Sequence, residues 1–317
     1  MSPRLPIIDY SRHPAYGGMF EPDDDLRGRA LSVLTPLVDQ QLQVDALKRE
    51  TFGYRYGGEG AHGRELAETG LLRFQLTQPM IDPIGQASAP VVAEVRTRLD
   101  RMRAAGETVH FPHRSQPIDP VAYAELWRAL HAALSRIDAF GLTTRFFGTQ
   151  ASKLQSAQIL LSPPDLTENP AAENAGPPTE GLHIDSSGRC ILKGVLYLDD
   201  VGPGQGPFGM IPGSHRWEEG SLGRVYRRAF DRSALVSRGV KQRRLFMSLP
   251  TEMQVKAEFG SDLLPESAEG RELIDQEAVS LGPRGLLSLF DPEAIHRGGQ
   301  ARDAERQAIL VTLVARW

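Results

Sequence analysis

The first half of the chain carries the spacing of apolar residues that is typical of helices with one buried face. In three segments, apolar side chains recur every three or four residues, which predicts amphipathic helices: Leu31, Leu34, Val38 and Leu42; Val92, Val95, Leu99 and Met102; Leu126, Leu130, Leu134 and Ile137. The first helix falls within residues 26–51, where Pro36 is expected to break or kink it.

The ends of the other two helices carry their own signals. The second is predicted to begin near Pro90 and to end at Gly106, and the third to follow Asp119 and Pro120, an N-cap residue and a first-turn proline. A short helix at 65–70 and a strand at 71–76 are predicted between the first and second helices.

Beyond residue 155 the pattern changes to short apolar runs bounded by turn residues, which is typical of strands. Strands are predicted at 158–161, 191–198, 285–290 and 307–314. Helices followed by many short strands favour helices packed on the outside of a β-sandwich. We therefore expect a single domain over residues 1–317, with a mainly helical buttress at 1–150 and a β core at 151–317 that contains an insertion at 216–281.

Composition narrows the class of protein. The formal net charge of −4 gives no electrostatic reason to expect nucleic acid or an anionic membrane as a partner. The only cysteine, Cys190, excludes an intramolecular disulfide and favours a reducing setting. Since no signal peptide or membrane-spanning run is visible, we expect a cytoplasmic protein, as a monomer or a homodimer.

A candidate metal site comes from three residues. His183 and Asp185 are two positions apart in an extended stretch, with one residue between them, so their side chains point to the same side. His296 follows the apolar run at 285–290 and is the best candidate for a third ligand, with His215 as its competitor. Two imidazoles and one carboxylate on one side of an ion leave its other positions open, which suits non-haem Fe(II) used for oxygen chemistry.

The motifs around these residues resemble one known family. The sequence contains HID at 183–185, a strand ending in LYLDD at 196–200, GPFGMIPGSH at 206–215, and a late histidine followed by an arginine on the next strand. This combination resembles the phytanoyl-CoA dioxygenase family of Fe(II)- and 2-oxoglutarate-dependent oxygenases. The resemblance implies a double-stranded β-helix, that is a jelly roll, and His183, Asp185 and His296 as iron ligands. It also implies hydroxylation of an unactivated C–H bond by O2, with release of succinate and CO2.

The same resemblance suggests how 2-oxoglutarate would be held. Arg306, at the start of the last strand, would pair with the distal carboxylate, with Arg302 as the alternative. Gln158 could donate its amide to the co-substrate or could instead face outward, and Lys153 is a weaker candidate. The sequence departs from the family at Gly298, where Ser or Thr is common.

The substrate is expected to be a small molecule: a specialised metabolite, an amino acid derivative or an acyl thioester. Nine basic residues stand against three acidic ones between Arg216 and Arg244. This run predicts either a solvated helical face or a lid that attracts an anionic or carrier-linked substrate. Desaturation or cyclisation would need the same ligands as hydroxylation. The rival from another class is a non-catalytic jelly-roll protein that only binds a ligand.

Overall fold

The computed structural model describes residues 60–107, 109, 111–164, 182, 185, 190–215 and 268–316, together with isolated positions between 28 and 43 that are helical. The predicted helix at 26–51 is therefore described only at those positions. The loop at 165–180 and most of the predicted insertion at 216–281 lie outside the described residues.

The described helices fall mainly in the first half of the chain, as expected. They are α1 (Gly60–Thr69), α2 (Gln78–Ala104), α3 (Ala124–Arg136), α4 (Ala139–Phe147) and α5 (Ala268–Ile274), with a short 3-10 helix at Phe111–Arg114. None of them has the length and apolar character that crossing a bilayer requires.

The described strands form two antiparallel sheets, of which the larger has the strand order β1-β7-β4-β9-β3-β2. Its strands are β1 (Leu71–Gln75), β2 (Ser115–Pro117), β3 (Ala151–Ser162), β4 (Ile191–Tyr197), β7 (Leu286–Phe290) and β9 (Arg306–Arg316). The smaller sheet has the order β6-β5-β8, from β5 (Gly209–Met210), β6 (Ala278–Val279) and β8 (His296–Arg297). The end of the predicted insertion thus supplies a strand of the smaller sheet.

From β4 onward the chain crosses repeatedly between the two sheets. The chain passes from β4 in the larger sheet to β5 and β6 in the smaller, back to β7, out to β8 and back to β9. Met210 of the smaller sheet shares one buried apolar cluster with Tyr197, Phe290 and Ala308 of the larger, so the sheets face each other. Facing antiparallel sheets with this alternation form the predicted double-stranded β-helix.

The central strands of the larger sheet have packing residues on both faces. Ile309, Val311 and Leu313 of β9 pack with the helices, whereas Ala308 and Leu310 pack toward the smaller sheet. This second side is called the interior face below. By the period-two alternation of strands, its members include Gln158, Leu160 and Ser162; Lys193, Val195 and Tyr197; Ser288 and Phe290; Arg306, Ala308, Leu310 and Thr312.

Three predicted helix starts were wrong, the first being that of α1, which begins at Gly60 rather than at 65. Helix α2 begins at Gln78 rather than near Pro90, with a proline in its first turn and with Pro83 and Pro90 inside it. Both internal prolines are on exposed positions of the helix, where water can satisfy the carbonyl groups that lose a partner. Helix α3 begins at Ala124 because Asp119 caps a preceding turn instead: its Oδ1 accepts hydrogen bonds from the N–H groups of Val121 and Ala122, both at 2.8 Å.

Candidate metal and anion-binding site

The structure brings two of the three predicted metal ligands together. His296 Nε2 lies 3.2 Å from Asp185 Oδ2, and both side chains are buried. The third, His183, lies outside the described residues, two positions before Asp185. In the described part of the chain, no three His, Cys, Asp or Glu side chains gather as a metal-binding group.

The ring of His296 is oriented for coordination through Nε2. Its Nδ1 lies 2.8 Å from the carbonyl oxygen of Ala294 and can only donate to that acceptor. With the proton on Nδ1, the lone pair of Nε2 faces the carboxylate of Asp185 and is available to a cation between them. The donor set of imidazole nitrogen and carboxylate oxygen therefore fits a divalent first-row metal.

Strand β8 is fixed by the turn that the sequence carries as PGSH. The hydroxyl of Ser214 donates to the carbonyl of Ile211 at 2.7 Å and accepts from the N–H of Ile295 at 2.8 Å. The N–H of Ile211 in turn donates to the carbonyl of Ile295 at 2.9 Å. Because Ile295 directly precedes His296, this clamp sets where the imidazole enters the interior.

His215, the competitor for the third ligand position, lies elsewhere. Its Nε2 is 3.2 Å from the carbonyl oxygen of Ala67 in α1, and its ring packs near Phe146 of the helix-side core. A Cβ at Gly70, whose φ is +77°, would lie 2.6 Å from His215 Nδ1, so glycine allows this close approach. The ring of His296, by contrast, packs on Phe290 with the centroids 4.8 Å apart, in the interior cluster.

Asp185 is held by two groups from neighbouring elements. Its N–H donates to the carbonyl of Pro292, which lies in the connection between β7 and β8, at 3.0 Å. Its Oδ2 also accepts from the ammonium group of Lys193 on β4 at 2.7 Å. The carboxylate thus lies between an imidazole and a lysine, both reaching it from strands of the barrel.

Arg306 is buried at the first position of β9. Its Nη2 donates to Ser162 Oγ at 3.0 Å, and its Nη1 donates to the carbonyl oxygen of Gly298. Gly298 comes two residues after His296, so the guanidinium lies close to the strand that carries the imidazole. The side chain of Arg302, the alternative, is exposed to solvent.

A second buried guanidinium, which the sequence analysis missed, lies beside the first. Arg114 is 1% exposed and its Nη1 donates to the same Ser162 Oγ at 3.1 Å. Arg98 of α2 holds this segment in place through hydrogen bonds to the carbonyls of His113 and Ser115, both at 2.8 Å. Two guanidinium groups around one hydroxyl concentrate positive charge in the interior, an arrangement that suits a carboxylate ligand.

Gln158 lies on the interior face, half-buried, opposite Leu310 of β9 and four residues before Ser162 on the same strand. Its amide therefore faces the same side as the two guanidinium groups. Lys153, its weaker alternative, is exposed near the start of β3. Nothing in the local sequence distinguishes Arg114 or Ser162 from other polar residues; only the folded sheet brings them to Arg306.

The two aspartates of the LYLDD motif have structural contacts. The carboxylate oxygens of Asp199 accept from the N–H of Gln307 at 3.2 and 3.3 Å, and Asp200 Oδ1 accepts from the N–H of Arg284 at 2.8 Å. Burial raises the pKa of Asp199 to about 6, although the hydrogen bond from Gln307 acts in the opposite direction. Asp199 thus ties the end of β4 to the start of β9, next to Arg306.

Comparisons with known proteins give distant structural neighbours. No family model and no curated protein matches the sequence. EctD from S. alaskensis, solved with 2-oxoglutarate and 5-hydroxyectoine, has a TM-score of 0.47 and 14% identity over 81% of this chain and 77% of its own. The epimerase SnoN, in complex with Fe3+, alpha-ketoglutarate and nogalamycin RO, has a TM-score of 0.43 and 15% identity, covering 80% and 81%. The carbocyclase SnoK from nogalamycin biosynthesis has a TM-score of 0.40 and 14% identity, covering 80% and 82%. At this level of similarity none of these neighbours carries over an activity or a substrate.

Proposed function

We propose that the protein is an Fe(II)- and 2-oxoglutarate-dependent oxygenase that hydroxylates an unactivated C–H bond of a small molecule. The observation that carries this proposal is the pair of Asp185 and His296, 3.2 Å apart in the barrel interior. The buried guanidinium of Arg306 adds an anion-binding group at the start of β9.

His183, Asp185 and His296 would hold the metal. The set has no thiolate and only one carboxylate, which favours iron with open positions over a structural zinc site. When bound, iron and 2-oxoglutarate supply the oxidation of the substrate by O2, with succinate and CO2 as co-products. A carboxylate at position 185 supports hydroxylation, since family members that halogenate lack it.

The residues of the chain bind and orient the co-substrate. Arg306 would pair with the distal carboxylate of 2-oxoglutarate through its guanidinium fork. Ser162 accepts hydrogen bonds from both Arg306 and Arg114 and so holds the two guanidinium groups toward one point. Gly298 has no side-chain hydroxyl, and Ser162 supplies a hydroxyl beside Arg306 instead. Gln158 is on the same interior face.

Apolar residues around His296 limit access of water to this side of the site. The rings of Phe208 and Phe290 lie 6.1 and 4.8 Å from the imidazole, centroid to centroid, and both are buried. An apolar surface that excludes water strengthens the electrostatic contacts of bound anions and reduces side reactions with water.

The motifs HID, LYLDD and PGSH support membership of the phytanoyl-CoA dioxygenase family as the finer assignment. Two of them have contacts that hold the site: Asp199 ties β4 to β9, and Ser214 clamps the residue before His296. The first contact fixes the start of the strand that carries Arg306, and the second fixes the strand that carries His296.

Anaerobic titration tests the proposal. Addition of Fe(II) and then 2-oxoglutarate to the purified protein should produce a weak visible charge-transfer band, because the keto acid chelates the metal. The Asp185→Ala variant should give no band at the same concentrations, whereas Asp200→Ala, at an exposed position, should give the band of the wild-type protein. Folded wild-type protein that shows no band would refute the proposal.

A further inference from the structure

The interior face carries a row of polar residues at the end of the barrel far from Arg306. Across the sheet, Ser156, Thr312 and Lys193 are direct neighbours, with Ser156 paired to Thr312 and Thr312 paired to Lys193. Thr312 is six residues beyond Arg306 on β9, which corresponds to about 20 Å along an extended strand. We name these three residues the polar row.

Apolar side chains, with Gln158 among them, lie between the polar row and the arginines. Between the two ends of the interior face lie Ala308 and Leu310 of β9, with Val195 beside Leu310 on β4. Ser156 is exposed, and Thr312 and Lys193 are half-buried. Among the described residues, the polar row is therefore the more exposed end of the interior face, whereas Ser162 and Arg306 at the other end are buried.

Lys193 reaches from this row to the candidate metal site. Its Nζ lies 2.7 Å from Asp185 Oδ2, and 33% of its side chain is exposed. In the metal-free protein the ammonium compensates the charge of the carboxylate. A divalent cation bound to Asp185 would neutralise the carboxylate in place of the ammonium. The cation and the ammonium of Lys193 would then repel each other at a separation of a few ångströms. An anionic group beside the ammonium would offset this repulsion.

We propose that Lys193 and Thr312 bind a carboxylate group of the substrate, so that the enzyme acts on a small carboxylic acid. The ammonium can donate a charge-assisted hydrogen bond and the hydroxyl a neutral one, which suits the two oxygens of a carboxylate. This inference rests on the proposed function, since it uses the metal at Asp185. It would place the carboxylate near Thr312, six residues along β9 from Arg306, so that it does not compete with 2-oxoglutarate for that guanidinium.

The position of Lys193 also restricts which carbon is oxidised. The ammonium touches a group that would itself coordinate the metal. A substrate carboxylate held by Lys193 therefore lies only a few bonds from the metal. The oxidised carbon is expected near the acid group rather than at the far end of a long chain.

Binding of simple probes to the protein loaded with Mn(II) and saturating 2-oxoglutarate tests this inference. Paramagnetic Mn(II) speeds the proton relaxation of any small molecule bound close to it. Hexanoate should show a saturable relaxation enhancement, and hexanamide, which has the same shape and no charge, should show little. In Lys193→Met the affinity for hexanoate should fall by about tenfold or more, as expected on losing a charge-assisted hydrogen bond.

Further variants separate the alternatives. Lys193→Arg should retain most of the hexanoate binding, Thr312→Val should weaken it, and Arg101→Met, an exposed charge removal on α2, should leave it unchanged. The inference is overturned if hexanoate and hexanamide behave alike, if Lys193→Met retains hexanoate binding, or if Lys193→Met mainly weakens 2-oxoglutarate. If the wild-type protein binds neither Mn(II) nor 2-oxoglutarate, the proposed function itself fails and this inference falls with it.

Discussion

The hydroxyl of Ser214 joins two segments of the smaller sheet by accepting a hydrogen bond from the backbone N–H of Ile295 at 2.8 Å. Ile295 precedes His296, so a serine in the PGSH turn fixes the entry of a candidate metal ligand into the interior. The PGSH motif thus supports the candidate site without forming part of it.

Replacing Ser214 by Ala should therefore lower both the free energy of unfolding and the affinity for metal. Loss of the hydroxyl leaves the buried N–H of Ile295 without its acceptor, which costs about 1–3 kcal/mol. The matched control is Ser152→Ala, which removes a 2.6 Å hydrogen bond to the carbonyl of Phe140, away from the site. Chemical denaturation and Mn(II) titration should show both effects in the first variant and only the loss of stability in the second.

Arg306→Ala should raise the concentration of 2-oxoglutarate needed for half-saturation by roughly 10–100-fold, the range expected for charge-assisted hydrogen bonds. Arg302→Ala removes an exposed charge and should change it by less than about twofold. Anaerobic titration of the charge-transfer band measures both. The reverse ranking of the two variants would assign the distal carboxylate to Arg302.

Two strands of the barrel could be predicted from the sequence because neither of their faces is exposed to solvent. The runs at 285–290 and 307–314 are almost continuously apolar, and the structure places them in β7 and β9. Helix α4 was not predicted, and β3 begins at Ala151, well before the predicted 158, because Lys153, Gln155 and Ser156 are polar and exposed. Tertiary pairing with β9, rather than local pattern, extends this strand.

The candidate site also contains residues that could be predicted from the sequence and residues that could not. That Asp185 and His296 lie together could be predicted because both belong to specific motifs, and their role as metal ligands stays a prediction. Arg114, Ser162 and Lys193 could not, because each acquires its place through a partner distant in sequence: Arg114 and Ser162 are 48 positions apart and meet only across the folded sheet. Single charged or hydroxyl residues carry no local signal of such contacts.

Asp199 should make stability depend on pH in a defined direction. Its pKa is raised from 3.8 to about 6 by burial, so ionisation of this carboxylate opposes folding. The destabilising contribution is absent below about pH 4, grows between pH 4 and 6, and is complete above pH 6. Asp199→Asn keeps an acceptor for the N–H of Gln307, and it should raise the melting temperature relative to wild type more at pH 8 than at pH 5. A difference that does not change with pH would contradict this assignment.

Lys193→Met should bind a divalent metal more tightly than the wild-type protein, by roughly tenfold, because the ammonium no longer competes for Asp185 or repels the cation. Counting free Mn(II) by electron paramagnetic resonance during a titration gives the affinity directly. Arg101→Met serves as the control for removal of a surface charge. Equal or weaker binding by Lys193→Met would mean that the lysine orients Asp185 for the metal instead of competing with it.

The central claim is that two imidazoles and one carboxylate share a single metal ion. Electron spin echo envelope modulation of the Cu(II)-loaded protein counts the coordinated imidazoles and so tests this claim most directly. We predict two imidazoles in the wild-type protein and in His215→Ala, and one in each of His183→Ala and His296→Ala. Two imidazoles persisting in His296→Ala, or the loss of one in His215→Ala, would contradict the account.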